Sequence, residues 1–286
     1  MNLAKDTACD QLTEVRSTAK GARVTPNSRD EKSGSKPVAY GNRRPPMVMT
    51  EDGQLVSLEV SQRIELERAQ VDICFVFDTT GSMSDKIEGL VNCLEDFVDE
   101  LAKLSLDWRC TCLPFGDLTV FGDRVDGQLP FQSTVQAAKK QLREMDSFNG
   151  GANQGESSIE AMIAGIAKPW RPKAVRVIVL LTDDLALGAK RASDVDRSLG
   201  AENIVCFVAS TPTDYYKGWA LNHGGRWFEI GPYLDSRALL ELLRRMARDL
   251  ATVVKNVHEI SGGSVRKFMQ LDEATRFRSL GSAPRD

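Results

Sequence analysis

Apolar residues recur along this chain at two spacings, and the two spacings alternate from one segment to the next. Apolar-rich segments of strand length are separated by segments in which apolar residues return every three or four positions, as on one face of a helix. The strand-like segments are 71–77, 107–117, 174–184, 203–210 and 226–231, and the helix-like segments are 87–104, 135–145, 159–166, 189–199, 213–225 and 239–254.

Strands that alternate with helices indicate a parallel sheet covered by helices on both faces. We therefore predict an α/β fold, with a doubly wound and mostly parallel sheet, over residues 71–256. Residues 1–45 are rich in Ser, Thr, Lys, Arg and Gly, which predicts a flexible basic arm. Residues 46–70 form a lead-in without a clear pattern, and residues 257–286 predict a polar extension with little structure of its own.

Composition and charge argue against several classes of function. The net charge is −3, and no long run of Lys and Arg interleaved with aromatic residues indicates nucleic-acid binding. No apolar stretch approaches the roughly 20 residues needed to cross a bilayer, and the beginning of the chain lacks the apolar core of a secretory signal. The six cysteines lie mostly in apolar segments, as expected of reduced, buried thiols. We expect a cytoplasmic protein that does not contact membranes.

The candidate chemistry lies where the first strand segment breaks abruptly into DTTGSMS. This sequence places Asp78, Thr80 and Ser82 at alternate positions of a tight loop, so that their side chains can converge on one centre, and Gly81 permits the sharp turn. Asp183 ends the strand segment VIVLLTD, and the carboxyl ends of parallel strands meet at one edge of the sheet. All these donors are oxygen atoms, which favours Mg²⁺, with Mn²⁺ or Ca²⁺ as alternatives, over zinc or copper.

Three segments together resemble a von Willebrand factor A domain with a metal-ion-dependent adhesion site (MIDAS), of an intracellular, prokaryotic-like kind. DTTGSMS is similar to the family's D-x-S/T-x-S loop, VIVLLTDD to its T-D-G strand end, and WALNHGGRWFEI to its helix, glycine pair and strand near the end of the domain. The resemblance covers about residues 71–254. It implies a bound divalent cation that accepts an Asp or Glu side chain of a partner protein, with capture linked to a shift of the last helix, about 236–254.

The middle loop of the site departs from the family pattern. The family supplies a Thr in T-x-T-G or an Asp in G-G-D-x-P-E, whereas this chain reads GGANQGES. Alignment on T-x-T-G puts Ala152 at the ligand position, and alignment on Glu156 and Ser157 puts Asn153 there. We choose Asn153, because its carbonyl oxygen can ligate a hard cation. The chain also has Asp184 where the family usually has Gly.

The resemblance thus implies five metal ligands, with the last of them acting through water: Asp78, Thr80, Ser82, Asn153 and Asp183. Taken singly, Asp78, Ser82 and Asp183 fit turn or helix-cap roles better than metal ligation, and only their convergence favours a metal site. We predict a non-enzymatic module for protein–protein interaction within a chaperone, ATPase-linked, signalling or defence assembly. Two alternatives stay open, which are a metal-free scaffold and a Mg²⁺-dependent phosphatase of the haloacid-dehalogenase type, although that type needs an acid where this chain has Thr80.

Overall fold

The computed structural model describes residues 47–49, 55–57, 70–83, 95–99, 106–151, 155–230 and 236–278, all within one compact unit, Pro46–Asp286. The predictions for the arm 1–45, for most of the helix 87–104 and for Ala152 and Asn153 lie outside the described residues. No described helix is both long and apolar enough to cross a membrane.

A parallel sheet forms the centre of the fold. In chain order the strands are β1 (Met47–Met49), β2 (Leu55–Ser57), β3 (Gln70–Asp78), β4 (Asp107–Phe115), β5 (Val175–Thr182), β6 (Ile204–Ser210) and β7 (Trp227–Glu229). The first two pair as an antiparallel hairpin, and the other five form one sheet in the order β4-β3-β5-β6-β7 with every neighbouring pair parallel. This topology confirms the predicted α/β class.

Helices cover both faces of this sheet. They are α1 (Val135–Arg143), α2 (Ser158–Ile166), α3 (Ala192–Ala201), α4 (Asp214–Asn222), α5 (Ser236–Glu259), α6 (Val265–Met269) and α7 (Glu273–Arg276), and residues 95–99 are also helical. One core cluster joins Phe75 and Phe77 to α1, α5 and α6, and a second joins Cys74 and Val76 to α2, α3 and α4. Alternate residues of β3 thus enter opposite cores, which is why that strand is apolar on both faces.

The cysteines behave as the composition predicts. Cys74, Cys110, Cys112 and Cys206 are free and buried, which confirms the expectation for the described part of the chain. Burial raises the pKa of Cys74 and of Cys110 to about 12, so these thiols remain protonated and serve as small apolar groups.

A buried ion network lies near the amino-terminal ends of the strands, opposite the candidate site. Asp72 is fully buried in β3, and Arg109 clamps its carboxylate through Nε to Oδ1 at 2.8 Å and Nη2 to Oδ2 at 2.7 Å. The Arg171 Nε atom donates to the same Oδ1 at 2.8 Å. Because Asp72 faces two guanidinium groups, its charge is compensated although it is removed from water.

The region after α5 differs from its sequence-based prediction. We expected little structure there, and this expectation was wrong for residues 260–278, which contain α6 and α7. Phe268 is fully buried, and the Asn256 Nδ2 atom donates to the carbonyl oxygens of Arg276 at 2.7 Å and Arg278 at 3.0 Å. The apolar residues of this polar segment are few, but they are spaced so that they reach the core together.

Candidate metal and partner site

Asp78, the last residue of β3, is the centre of the candidate site. Its Oδ1 atom accepts hydrogen bonds from the Thr80 backbone N at 3.1 Å and from Thr80 Oγ1 at 2.6 Å. Its Oδ2 atom accepts from Thr182 Oγ1 at 2.9 Å, which joins the ends of β3 and β5. Burial raises the pKa of Asp78 to about 6, the hydrogen bonds from Thr80 and Thr182 oppose this rise, and the charge of Asp183 adds to it.

Close backbone packing holds the loop after Asp78. A 3₁₀ turn, Gly81–Met83, begins there, with the Met83 N donating to the Thr80 carbonyl oxygen at 2.9 Å. The Gly81 N lies 3.4 Å from the Asn149 carbonyl oxygen, and a Cβ at Gly81 would approach that oxygen to 3.2 Å. Gly150 has a positive φ of 72°, and a Cβ there would lie 3.0 Å from the Thr80 Cβ. Glycine thus allows the second loop to lie directly against Thr80.

Glu156 is a site residue that the sequence analysis used only as an alignment reference. The residue is 4% exposed. Its Oε1 lies next to Gly150, since a Cβ added at Gly150 would be 3.2 Å from this oxygen. Its Oε2 is buried without a hydrogen-bond partner. The pKa of Glu156 is raised to about 8, chiefly by burial and then by the nearby carboxylates of Asp78, Asp117, Asp184 and Asp123.

The backbone on both sides of Glu156 holds its position. The Glu156 N donates to the Leu185 carbonyl oxygen at 2.8 Å, and the Leu187 N donates to the Glu156 carbonyl oxygen at 2.8 Å. The Tyr216 hydroxyl lies 2.8 Å from Ser158 Oγ and donates to the Asp184 carbonyl oxygen at 3.2 Å. The loop after β5 and the start of α2 are therefore tied into one unit. Tyr216 is fully buried.

Three further acids at this edge orient loops. Asp117 Oδ1 accepts from the Thr119 N at 2.8 Å. Asp123 accepts from the Asn149 N at 3.0 Å and, through Oδ2, from the Gly150 N at 2.8 Å. Asp184 Oδ2 accepts from the Gly155 N at 3.2 Å. The carboxylates of these three residues add negative charge to this edge of the sheet.

The described structure accounts for part of the predicted ligand set. It brings Asp78 and Thr80 into contact and places Asp183 close enough to raise the pKa of Asp78. The backbone of Ser82 lies in the 3₁₀ turn, but its side chain and the whole of Asn153 are outside the described residues, so their roles stay predictions. Glu156 gave only a weak signal in the sequence, because an acid just before a helix is usually explained by the helix dipole.

The donor set fits a hard divalent cation. The described groups are carboxylate and hydroxyl oxygens, and the buried Oε2 of Glu156 lacks a partner beside other buried acids. A cation there would satisfy that oxygen and offset the mutual repulsion of the carboxylates. No three Asp, Glu, His or Cys side chains in the described ranges form a ready-made metal site, so hydroxyl groups, water or the partner would have to complete the coordination.

Comparison with known proteins agrees with this description. The family model described as the von Willebrand factor type A domain matches residues 72–218. Proximal thread matrix protein 1 from the mussel byssus, whose structure has a zinc-occupied MIDAS motif, is 16% identical with a TM-score of 0.52, over 64% of this chain and 46% of that one. A von Willebrand factor type A structure from Catenulispora acidiphila is 19% identical with a TM-score of 0.47, over 63% and 42%.

The similarity to these two structures is one of fold. This chain spans less than half of the length of either protein. No curated protein sequence gives a significant match to the chain.

Proposed function

The chain belongs to the von Willebrand factor type A domain family, and on that basis we propose that it binds a divalent cation beside Asp78 and captures an acidic side chain of a partner protein there. Domains of this family commonly serve as protein-interaction modules and are generally not enzymes. The proposed cation supplies one chemical property, an open coordination position for a carboxylate.

The observation that carries the proposal is the state of Glu156. Glu156 has an almost fully buried carboxyl group with one unpartnered oxygen, close enough to the buried Asp78 for their negative charges to repel. This arrangement is costly unless another group binds that oxygen. Solvation or hydrogen bonding would normally satisfy such an oxygen. A divalent cation resolves both problems at once, since it binds the oxygen and compensates the charge of both acids.

The proposed ligands come from three segments of this edge. Thr80 gives its hydroxyl proton to Asp78, so towards any further group its oxygen acts only as an acceptor or ligand. Glu156 joins the predicted set because its Oε1 and the Thr80 Cβ both lie next to Gly150. The complete proposed set is Asp78, Thr80, Ser82, Asn153 and Glu156, with Asp183 acting through water.

The identity of the metal follows from ligand chemistry. Oxygen donors favour Mg²⁺, with Mn²⁺ or Ca²⁺ as alternatives, and the zinc in the mussel protein makes Zn²⁺ a necessary comparison. We further propose that the protein works in the cytoplasm as part of a multiprotein assembly of the chaperone, ATPase-linked, signalling or defence kind, with a protein partner that supplies the Asp or Glu.

The geometry favours a binding module over a phosphatase. Asp78 is fully buried and both of its oxygens accept hydrogen bonds from threonine side chains, whereas a carboxylate nucleophile must reach its substrate. The position two residues later, where that reaction needs an acid, is Thr80. Turnover of p-nitrophenyl phosphate that disappears in Asp78→Asn would contradict the proposed binding role.

Calorimetry with Mg²⁺, Mn²⁺ and Zn²⁺ tests the metal site on the full chain. We expect saturable binding in the wild type, no measurable binding in Asp78→Ala, and binding at least about tenfold weaker in Glu156→Gln, since removing a charged ligand costs about 1.5 kcal/mol or more. Asp194→Ala, a surface acid of α3, should bind as the wild type does. No binding in a folded wild type would overturn the proposal and favour the metal-free scaffold.

A further inference from the structure

Three large apolar side chains are exposed at the same edge of the sheet as the candidate site. Phe121 is fully exposed, and Leu118 and Leu185 are 48% and 41% exposed. Single exposed apolar residues are ordinary on protein surfaces. These three are different because they lie on the two loops that contact the Glu156 segment, one after β4 and one after β5.

Backbone hydrogen bonds place the two leucines beside the acids. The Leu118 N donates to Ser157 Oγ at 2.9 Å, and the Leu185 carbonyl oxygen accepts from the Glu156 N at 2.8 Å. The two leucines are therefore anchored to adjacent residues of the site from two different loops. Leu185 also follows Asp183 by only two residues, which corresponds to about 7 Å of extended chain.

The loop that displays Phe121 is held by its own hydrogen bonds. The Val120 N donates to the Asp117 carbonyl oxygen at 2.8 Å, and the Asp123 N donates to the Val120 carbonyl oxygen at 3.2 Å. Asp123 Oδ2 in turn accepts from the Asp117 N at 3.2 Å. An exposed aromatic ring on a loop fixed in this way loses little conformational entropy when a partner covers it, which is the property of an interface anchor.

We propose that Leu118, Phe121 and Leu185 form an apolar rim that selects the partner of the metal site. The preferred partner is a protein segment in which one Asp or Glu is flanked, within two residues, by a large apolar side chain. The inference rests on the proposed function, because the carboxylate must reach the metal. Two residues of an extended partner chain span about 7 Å, which is also the largest separation that the Cα atoms of Leu185 and Asp183 can have.

The charge around the site argues for a single acid in the partner rather than an acidic tract. The carboxylates of Asp123 and Asp184 accept hydrogen bonds from the Gly150 N and the Gly155 N, on the loop that leads to Glu156, and Asp117 precedes Leu118, whose N donates to Ser157 Oγ. One partner carboxylate is neutralised at the metal, but further acids would face these carboxylates at close range and be repelled. Apolar neighbours avoid this repulsion and gain the burial of the rim.

Selection from a displayed library of random twelve-residue peptides tests the rim. Peptides are captured on the full chain in Mg²⁺ or Mn²⁺ and eluted with EDTA. We expect the eluted peptides to be enriched in a single Asp or Glu with a large apolar residue within two positions. Enrichment of acids without apolar neighbours, or of acidic tracts, would overturn the rim and leave the metal-dependent capture intact.

Two serine variants make the result specific to the rim. We expect Phe121→Ser to lower the affinity for an enriched synthetic peptide by about tenfold or more, the effect typical of an interface anchor. Metal binding measured by calorimetry should be unchanged. Leu221→Ser, a similarly exposed leucine at the end of α4, should change peptide affinity by less than about twofold.

The remaining outcomes separate the two proposals. Unchanged peptide affinity in Phe121→Ser would reject the rim alone. A folded wild type that binds metal but yields no EDTA-eluted peptide would reject acid capture and the rim together. A folded wild type that does not bind metal would reject the proposed function, on which the rim depends.

Discussion

Replacing Glu156 by Gln removes a buried charge and should change how stability depends on pH in the metal-free protein. In the folded state the pKa of Glu156 is raised from 4.5 to about 8, chiefly by burial and then by the neighbouring acids. Below pH 4.5 the carboxyl group is protonated in both the folded and the unfolded state. Between 4.5 and about 8 the unfolded chain has released this proton while the folded protein keeps it, so stability falls as pH rises.

Comparison of the wild type with Glu156→Gln between pH 6 and 8 isolates this effect. Burial lowers the pKa of His258, which gives a pH dependence of opposite sign in this window, but His258 is common to both proteins and cancels from their difference. Asp78, whose pKa is about 6, shows the same sign but completes most of its contribution below that window. At about 1.4 kcal/mol for each pH unit, Glu156 alone accounts for a ceiling of about 2 kcal/mol of lost stability between pH 6 and 8. Local relaxation and water entry reduce this loss of stability. We therefore expect Glu156 to account for a loss of about 1 kcal/mol, or about 2–4 °C in Tm for a domain of this size.

Urea denaturation in EDTA at pH 6 and at pH 8 measures this difference. Between the two pH values the wild type should lose about 1 kcal/mol more stability than Glu156→Gln. Glu144→Gln changes an exposed glutamate after α1 and should keep the wild-type slope. Equal slopes for the wild type and Glu156→Gln would refute the argument that Glu156 is held in an unfavourable buried position.

Three further substitutions test the fold that carries the site. Asp72→Asn leaves two guanidinium groups without their buried counter-charge and should cost about 3 kcal/mol in urea denaturation; a loss below about 1 kcal/mol would contradict the role of this network. Gly225→Ala places a Cβ 2.0 Å from the Cys206 carbonyl oxygen and should prevent normal folding as judged by circular dichroism, whereas Gly127→Ala, whose Cβ meets only another methyl group at 3.6 Å, should fold normally. Phe268→Ala removes a fully buried ring and should cost about 3–5 kcal/mol; a change near zero would show that α6 is dispensable for stability.

The sequence by itself determined the class of the fold and predicted where the candidate site lies. Alternating strand and helix spacings are local properties of the chain, and a strand such as β3, apolar on both faces, has few alternatives to the centre of a parallel sheet. The position of Asp78 at a strand end, followed by Thr80 and Gly81, is equally local. For these reasons the α/β class, the helices on both faces and the convergence of strand ends were predictable.

Only the tertiary structure decided which acids are buried at the candidate site and which residues surround them. Glu156 precedes a helix, where an acid is common, and nothing in its neighbours along the chain indicates that its Oε2 is buried without a partner. That state results from Thr80, Leu185 and Asp123 approaching from three other loops. The burial of Phe268 and the shared edge of Leu118, Phe121 and Leu185 have the same origin. Spacing along a chain records which face a residue takes, whereas charge repulsion, burial and a common surface depend on contacts between segments that only folding brings together.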